Sequence, residues 1–160
     1  MVEKGATTVW ELWNGDTADP AMNSGNHVML VGDLVIWFYE CLAGIKSDPA
    51  QPGFKHIIMK PHPVGDLKFV KATHRSPYGL IASEWKRDGA KFDWHLTVPP
   101  NTTATVYVPS SGLETDLEGH GPALKAKGVK SFRYENGTAV FEVESGRYSF
   151  VSSIPTKPSG

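Results

Sequence analysis

The chain has 160 residues, of which 40% are hydrophobic and 21% charged, and this composition is typical of a globular protein with a buried core. The formal net charge of −1 argues against a nucleic-acid-binding protein, which normally carries a basic surplus, and the single cysteine excludes a disulfide framework and a cysteine-based zinc site. The longest apolar run, 34–39, is too short to cross a membrane, and no targeting segment that would indicate a compartment is recognisable.

One helix is predicted near the start of the chain, over residues 25–43. Polar residues suitable for an N-cap precede it, and Gly44 is a suitable C-terminal stop. Its side chains are apolar around almost the whole circumference, so we expect it to be buried on several sides. A single small sheet cannot cover such a helix, and we therefore expect the chain to be part of a larger protein. In isolation, the helix is expected to pair with a second copy or to fold back onto the rest of the chain.

Short strands follow a predicted linker at 46–53, because turn signals recur every eight to twelve residues or so. Asp88-Gly89 and Asn136-Gly137 are typical of tight hairpin turns. The predicted strands are 54–59, 67–75, 80–87, 91–98, 103–108, 130–135, 138–144 and 147–151. The predicted fold class is therefore mainly β, an antiparallel β-sandwich of about eight strands preceded by one α-helix. Residues 152–160 are predicted to form a flexible tail.

The stretch from Gly5 to His27 is unusually rich in polar side chains and tryptophan. Glu11 lies between Trp10 and Trp13, and Asn23 and His27 follow close to the predicted start of the helix. Aromatic faces stack on the C–H faces of sugars, while carboxylates and amides bind hydroxyl groups, so this combination favours a carbohydrate site. From the residues alone this is weak evidence, and two core tryptophans beside a solvated glutamate are the alternative that composition favours.

Four runs of sequence carry a resemblance to a known family: GATTVWELWNG, MNSGNHVMLVGDLVIWFYECLAGI, PGFKHIIMKPHPVGDL and SPYGLIASEW. In this order and spacing they resemble the C-terminal part of bacterial α-L-rhamnosidases of glycoside hydrolase family 78, over about residues 5–151. The resemblance implies that residues 1–46 are the last loop and helix of an incomplete (α/α)6 barrel and that residues 53–151 are a C-terminal β-sandwich domain. It also implies hydrolysis of terminal α-L-rhamnosyl groups, with inversion, by the complete enzyme.

The same resemblance implies roles for individual residues. Glu11 matches the catalytic general base and His27 an active-site histidine. From their residue types and not from the resemblance, Trp10, Trp13 and Asn23 are expected to bind substrate. An inverting enzyme needs a second carboxyl group as general acid, which the family carries upstream of this segment. The isolated chain is therefore expected to be nearly inactive on a rhamnoside, and no metal or cofactor is expected in it.

A different class of function is also open from the residues. Trp85 and Trp94 fall on adjacent predicted strands, and Asp93 and His95 share the opposite, polar face. This pattern allows a non-catalytic β-sandwich that acts as a carbohydrate-binding or scaffold module.

Overall fold

A computed structural model describes residues 1–111, 116–117, 121–122 and 127–154 of the chain. The chain divides into two compact units, residues 1–38 and residues 39–160. The first unit contains a 3-10 turn, Val2–Lys4, a long irregular loop and one α-helix, α1 (Met29–Trp37). A π-helical segment, Phe38–Leu42, follows α1. Among the described residues, no helix combines the length and the apolar character needed to cross a membrane.

The predicted helix is present, but it begins at Met29 and not at residue 25. Residues 24–27 are unavailable for helix formation because their backbone bonds to an earlier segment: the Glu11 N–H donates to the Ser24 carbonyl, and the His27 N–H donates to the Val9 carbonyl. The expectation that His27 lies in the first helical turn is therefore wrong. Every residue of α1 is exposed in the part of the chain that the structure describes.

The second unit is a β-sandwich, which confirms the predicted mainly-β class. Its strands are β1 (Ile45–Ser47), β2 (His56–Met59), β3 (Phe69–Ser76), β4 (Gly79–Asp88), β5 (Lys91–Val98), β6 (Thr103–Pro109), β7 (Asp116–Leu117), β8 (Gly121–Pro122), β9 (Val129–Glu135), β10 (Thr138–Val143) and β11 (Gly146–Ser153). One sheet has the order β1-β2-β6-β10-β9 and the other has the order β3-β4-β5-β11-β7-β8. Neighbouring strands are antiparallel except for β2 and β6, which are parallel. β1 occupies part of the segment that the sequence predicts as a linker.

Both predicted hairpins form. Gly89 and Ala90 join β4 to β5, since Asp88 and Lys91 are paired. Asn136 and Gly137 join β9 to β10 with positive φ angles of 48° and 74°. A two-residue hairpin turn of this type needs positive φ at both positions, which asparagine and glycine tolerate best.

The core lies between the two sheets and is rich in aromatic rings. The alternation predicted for residues 91–98 is confirmed, because Phe92, Trp94, Leu96 and Val98 are all buried. The rings of Phe141 on β10 and Phe150 on β11 lie 5.1 Å apart between their centroids and join the two sheets. Burial of such rings is the main stabilising contribution to a sandwich of this size.

Trp85 and Trp94 lie directly opposite each other on β4 and β5, and neither is accessible to solvent. Their indole N–H groups are satisfied: Trp94 Nε1 donates to Ser83 Oγ at 2.9 Å, and Trp85 Nε1 donates to the Leu42 carbonyl at 2.8 Å. Ser83 Oγ in turn donates to the Ala43 carbonyl at 2.7 Å. These two rings are therefore core residues and cannot stack on a sugar.

Gly44 ends the helical segment, as predicted, and only glycine fits at this position. Its φ is +70°, and a Cβ atom there would lie 2.2 Å from the backbone nitrogen of Pro61. The Gly44 carbonyl accepts a hydrogen bond from the Lys60 N–H at 2.9 Å. The chain therefore crosses its own backbone at this point with no room for a side chain.

The predicted flexible tail is wrong over residues 152–154. Ser152 Oγ donates to the Pro109 carbonyl at 2.6 Å, and the Ile154 N–H donates to the Ala90 carbonyl at 2.8 Å. Ile154 is also buried. The alternation of buried and more exposed side chains along β11 continues through Ser152, whose small polar side chain bonds to a strand of the opposite sheet. The polar composition of this segment therefore did not show that the strand extends into it. Residues 155–160 lie outside the described residues.

Tyr148 should make the stability of the sandwich depend on alkaline pH. Its side chain is buried, its hydroxyl donates to the Glu144 carbonyl at 2.9 Å, and burial followed by the nearby Glu144 carboxylate raises the pKa of the phenol. The unfolded chain thus releases this proton at lower pH than the folded chain does. The stabilisation is complete below about pH 10, the usual pKa of tyrosine, and is lost as pH rises through the higher folded pKa.

Urea unfolding at pH 8 and at pH 10.5 tests this prediction on the wild-type chain and on Tyr148→Phe. We expect the unfolding midpoint of the wild type to fall more steeply with pH than that of Tyr148→Phe, which cannot ionise. If the unfolding midpoints of the two proteins fall equally with pH, the ionisation of Tyr148 does not contribute to the pH dependence of stability.

Candidate functional site

The candidate site is built where two segments of the first unit lie side by side. Residues 8–12 contain the predicted base, and residues 23–27 contain the predicted amide and histidine. The Glu11 N–H donates to the Ser24 carbonyl at 3.0 Å, and the His27 N–H donates to the Val9 carbonyl at 2.7 Å. These bonds connect positions far apart in sequence, so the loop has a defined shape although it contains no strand.

Glu11 is held by one of its two carboxylate oxygens. Oε2 accepts a hydrogen bond from the Ser24 N–H at 2.9 Å. His27 Nδ1 lies 3.7 Å from the same oxygen, which is beyond hydrogen-bonding distance. Oε1 receives no hydrogen bond from any residue that the structure describes, and the side chain is 42% exposed. The carboxylate is thus fixed on one side and open to solvent on the other.

The structure brings Asn23 to the same place. Its Oδ1 accepts a hydrogen bond from the backbone N–H of Leu12, the residue after Glu11, at 3.1 Å. Thr8 Oγ1 donates to the Gly25 carbonyl and closes the other end of the paired segments. Glu11, Asn23 and His27 are therefore neighbours in space, whatever roles they have.

The two tryptophans of the site differ sharply in exposure. The Trp10 ring lies against Gly15, where a Cβ atom would come within 2.6 Å of ring atom Cε3. Trp10 is half-buried, whereas Trp13 is 80% exposed. A large aromatic face left in water is the geometry that stacking on a sugar ring requires, and Trp13 offers it more fully than Trp10 does.

The acidic side chains of the loop have structural partners. Lys4 Nζ lies 2.9 Å from Asp16 Oδ1, and this hydrogen bond lowers the pKa of the Asp16 carboxyl. Asp19 Oδ1 accepts the Ala21 N–H at 2.9 Å. Within the described residues, no three histidine, cysteine, aspartate or glutamate side chains are grouped as a metal site would require.

Two contributors to the site were missed by sequence reasoning. Ser24 acts through its backbone N–H, and no side-chain pattern can reveal which N–H will face a carboxylate. Gly15 lies against the Trp10 ring, and the sequence analysis assigned no role to this glycine. Together the residues form an anchored, partly exposed carboxylate with a histidine nearby, and an exposed indole follows two residues later in the chain. A carboxylate of this kind is able to accept a proton from water.

Two family models match consecutive parts of the chain. Residues 44–121 match the model of the bacterial alpha-L-rhamnosidase C-terminal domain. Residues 1–42 match the model of the bacterial alpha-L-rhamnosidase 6-hairpin glycosidase domain. The two matches meet at Gly44, close to the boundary between the two units.

Individual relatives give the same result. The chain is 34% identical over 154 residues to an alpha-L-rhamnosidase of Streptomyces avermitilis, covering 93% of this chain and 14% of that protein. It is 33% identical over 154 residues to an alpha-L-rhamnosidase of Formosa agariphila, covering 93% of this chain and 16% of that protein. The crystal structure of the Streptomyces avermitilis enzyme complexed with L-rhamnose superposes with a TM-score of 0.76 at 32% identity, over 94% of this chain and 14% of that one. The chain thus spans about one seventh of the length of the relatives it matches.

Proposed function

The chain belongs to the bacterial α-L-rhamnosidase family, and from this membership we propose that it supplies the general base to an enzyme that hydrolyses terminal α-L-rhamnosides. The observation that carries the proposal is the anchored Glu11 carboxylate, whose Oε2 is held by the Ser24 N–H at 2.9 Å while the side chain stays 42% exposed. An ionised, fixed and solvated carboxylate is what a general base needs. His27 and Trp13 lie in the same loop and supply a polar and an apolar contact to the sugar.

The proposed reaction is hydrolysis with inversion. Glu11 Oε1 takes a proton from a water whose oxygen bonds to the anomeric carbon, and the bond from that carbon to the leaving oxygen breaks. A carboxylic acid outside this chain would protonate the leaving oxygen, at a distance of about 6.5–9.5 Å from the base, which leaves room for the water. The first product is then β-L-rhamnose, and its anomeric configuration is readable by NMR before mutarotation.

A hybrid enzyme tests the proposal. In the hybrid, this chain replaces the matched segment of the Streptomyces avermitilis α-L-rhamnosidase. A general base that lies in the replaced segment is then supplied by the present chain. We expect the hybrid to hydrolyse an aryl α-L-rhamnoside, and we expect neither the shortened relative nor the isolated chain to do so. A folded hybrid without activity would contradict the proposal.

For the β-sandwich, the favoured role is a scaffold. The alternative of a carbohydrate-binding module was based on Trp85 and Trp94, together with the polar strand face that bears Asp93 and His95, and both tryptophans are buried. Instead, the Trp85 and Ser83 side chains bind the carbonyls of Leu42 and Ala43 and fix the segment that follows α1. A glycan-binding measurement without residues 1–45 separates the alternatives, since a carbohydrate-binding module should still bind a glycan and a scaffold should not.

Self-association through the predicted helix, 25–43, is expected for the isolated chain. Apolar side chains of α1 are widely exposed, such as Met29 at 65% and Ile36 at 55%, and patches of this kind are seldom left in water. Sedimentation equilibrium should show a mass above 17.5 kDa that rises with concentration. Ile36→Lys should weaken the association, whereas Val2→Lys, at an exposed apolar position outside the helix, should not. A strict monomer at all concentrations would refute this expectation.

A further inference from the structure

We propose that Asn23 is a positioning residue for Glu11 and not a ligand of the sugar, an inference that rests on the proposed function of Glu11. The polar residue types of the loop made Asn23 a candidate substrate-binding residue. In the structure, however, its side-chain oxygen is used within the protein, as the acceptor for the Leu12 N–H at 3.1 Å. Leu12 directly follows Glu11, so this bond acts on the base through the backbone.

Three hydrogen bonds together define where Glu11 lies. Its own N–H donates to the Ser24 carbonyl at 3.0 Å, its Oε2 accepts from the Ser24 N–H at 2.9 Å, and the next N–H along the chain donates to Asn23 Oδ1. All three partners belong to the adjacent residues 23 and 24. We call these three bonds the Glu11 clamp. Ser24 contributes only backbone groups to it, so Asn23 supplies the partner side chain that a substitution can remove.

The clamp matters because Glu11 lies on an irregular loop with an exposed side chain. Without the Asn23 bond, the Leu12 N–H would bond to water and the backbone beside Glu11 would lose its attachment on that side. A base displaced by about 1 Å can cost roughly 100-fold in rate, because the attacking water no longer lies in line with the bond that breaks. Binding of the sugar does not depend on the position of the base, so KM should change little.

Two substitutions in the hybrid enzyme separate positioning from sugar binding. Asn23→Leu keeps the approximate size but removes the acceptor, and we expect kcat to fall about 10–100-fold with little change in KM. Asn23→Asp keeps an oxygen that accepts from the Leu12 N–H, and we expect kcat to return to within a few fold of the unsubstituted hybrid. If the Asn23 amide N–H binds the sugar instead, both variants raise KM. Asn14→Leu, the same change at an exposed position of the same loop, is the matched control.

The rate in the presence of azide separates a positioning role of Asn23 from a purely structural one. Azide attacks the anomeric carbon without a base: the carbon–nitrogen bond forms as the bond from the anomeric carbon to the glycosidic oxygen breaks, and the aryloxy group leaves as a phenolate. We expect azide to restore turnover of Asn23→Leu and to give rhamnosyl azide. No restoration, together with a lowered melting temperature, would overturn the inference.

The two proposals fail in distinguishable ways. An inactive hybrid, or one that stays active after Glu11→Gln, refutes the proposed function. An active hybrid that depends on Glu11 but keeps its kcat in Asn23→Leu refutes only the positioning role.

Discussion

Replacing Glu11 by glutamine is expected to lower kcat of the hybrid enzyme about 10²–10⁴-fold, the usual contribution of a general base. Glutamine has nearly the same shape, and its amide oxygen can still accept the Ser24 N–H that holds Oε2 at 2.9 Å. It cannot take a proton from water at the open position. The loss should therefore appear in kcat, with KM and the melting temperature close to those of the unsubstituted hybrid.

The measurement is the rate of phenol release from an aryl α-L-rhamnoside at saturating substrate. Glu3→Gln is the control, because it removes an exposed carboxylate from the same unit without touching the paired segments. An effect of Glu11→Gln no larger than that of Glu3→Gln would show that the base lies elsewhere. A fall in activity that is matched by a fall in melting temperature would instead assign Glu11 a structural role.

The second large effect is expected in the core, where Trp94→Ala should lower the free energy of unfolding by about 3–5 kcal/mol. Trp94 has no solvent exposure, and its ring lies 6.2 Å from Phe150 and 6.4 Å from Phe92 between centroids. Alanine leaves a cavity that these neighbours can fill only in part. The change also removes the indole N–H that donates to Ser83 Oγ.

The same substitution at Trp13 provides a matched control, because that ring is 80% exposed. Trp13→Ala should change the free energy of unfolding by no more than about 0.5 kcal/mol. Urea unfolding followed by far-UV circular dichroism gives both values. If Trp94→Ala does not fold, Trp94→Phe, which keeps much of the ring volume, should fold with a smaller loss. Equal unfolding midpoints for Trp94→Ala and Trp13→Ala would contradict the assignment of Trp94 to the core.

Local signals explain which parts of the fold were predictable. Asn136-Gly137 and the alternation at 91–98 depend on neighbouring residues alone, and both were predicted correctly. β1 and the parallel pairing of β2 with β6 were not predicted, because they depend on contacts between residues such as His56 and Thr103 that are distant in sequence. The start of the helix was misplaced for the same reason, since 24–27 bonds to a segment near residue 10.

The candidate site shows a similar limit. The residue types around Glu11 indicated a sugar site only weakly, and the resemblance to a family supplied the roles. Neither could show that Glu11 Oε2 is held by a backbone N–H, or that the Asn23 side chain accepts from the Leu12 N–H. Such bonds depend on how two loops are aligned, and that alignment is set by the whole of the unit.

The crossing at Gly44 limits how the length of this protein can vary. Boundaries between domains usually tolerate added or deleted residues, because few contacts cross them. Here the carbonyls of Leu42, Ala43 and Gly44 each have a fixed partner, and Ile45 begins a strand in register with Met59. Adding or removing one residue between Leu42 and Ile45 would move at least one of these carbonyls away from its hydrogen-bond donor. Insertions between the helix and the sandwich should therefore be absent in functional variants of this chain and should instead accumulate in the exposed turn at 49–53.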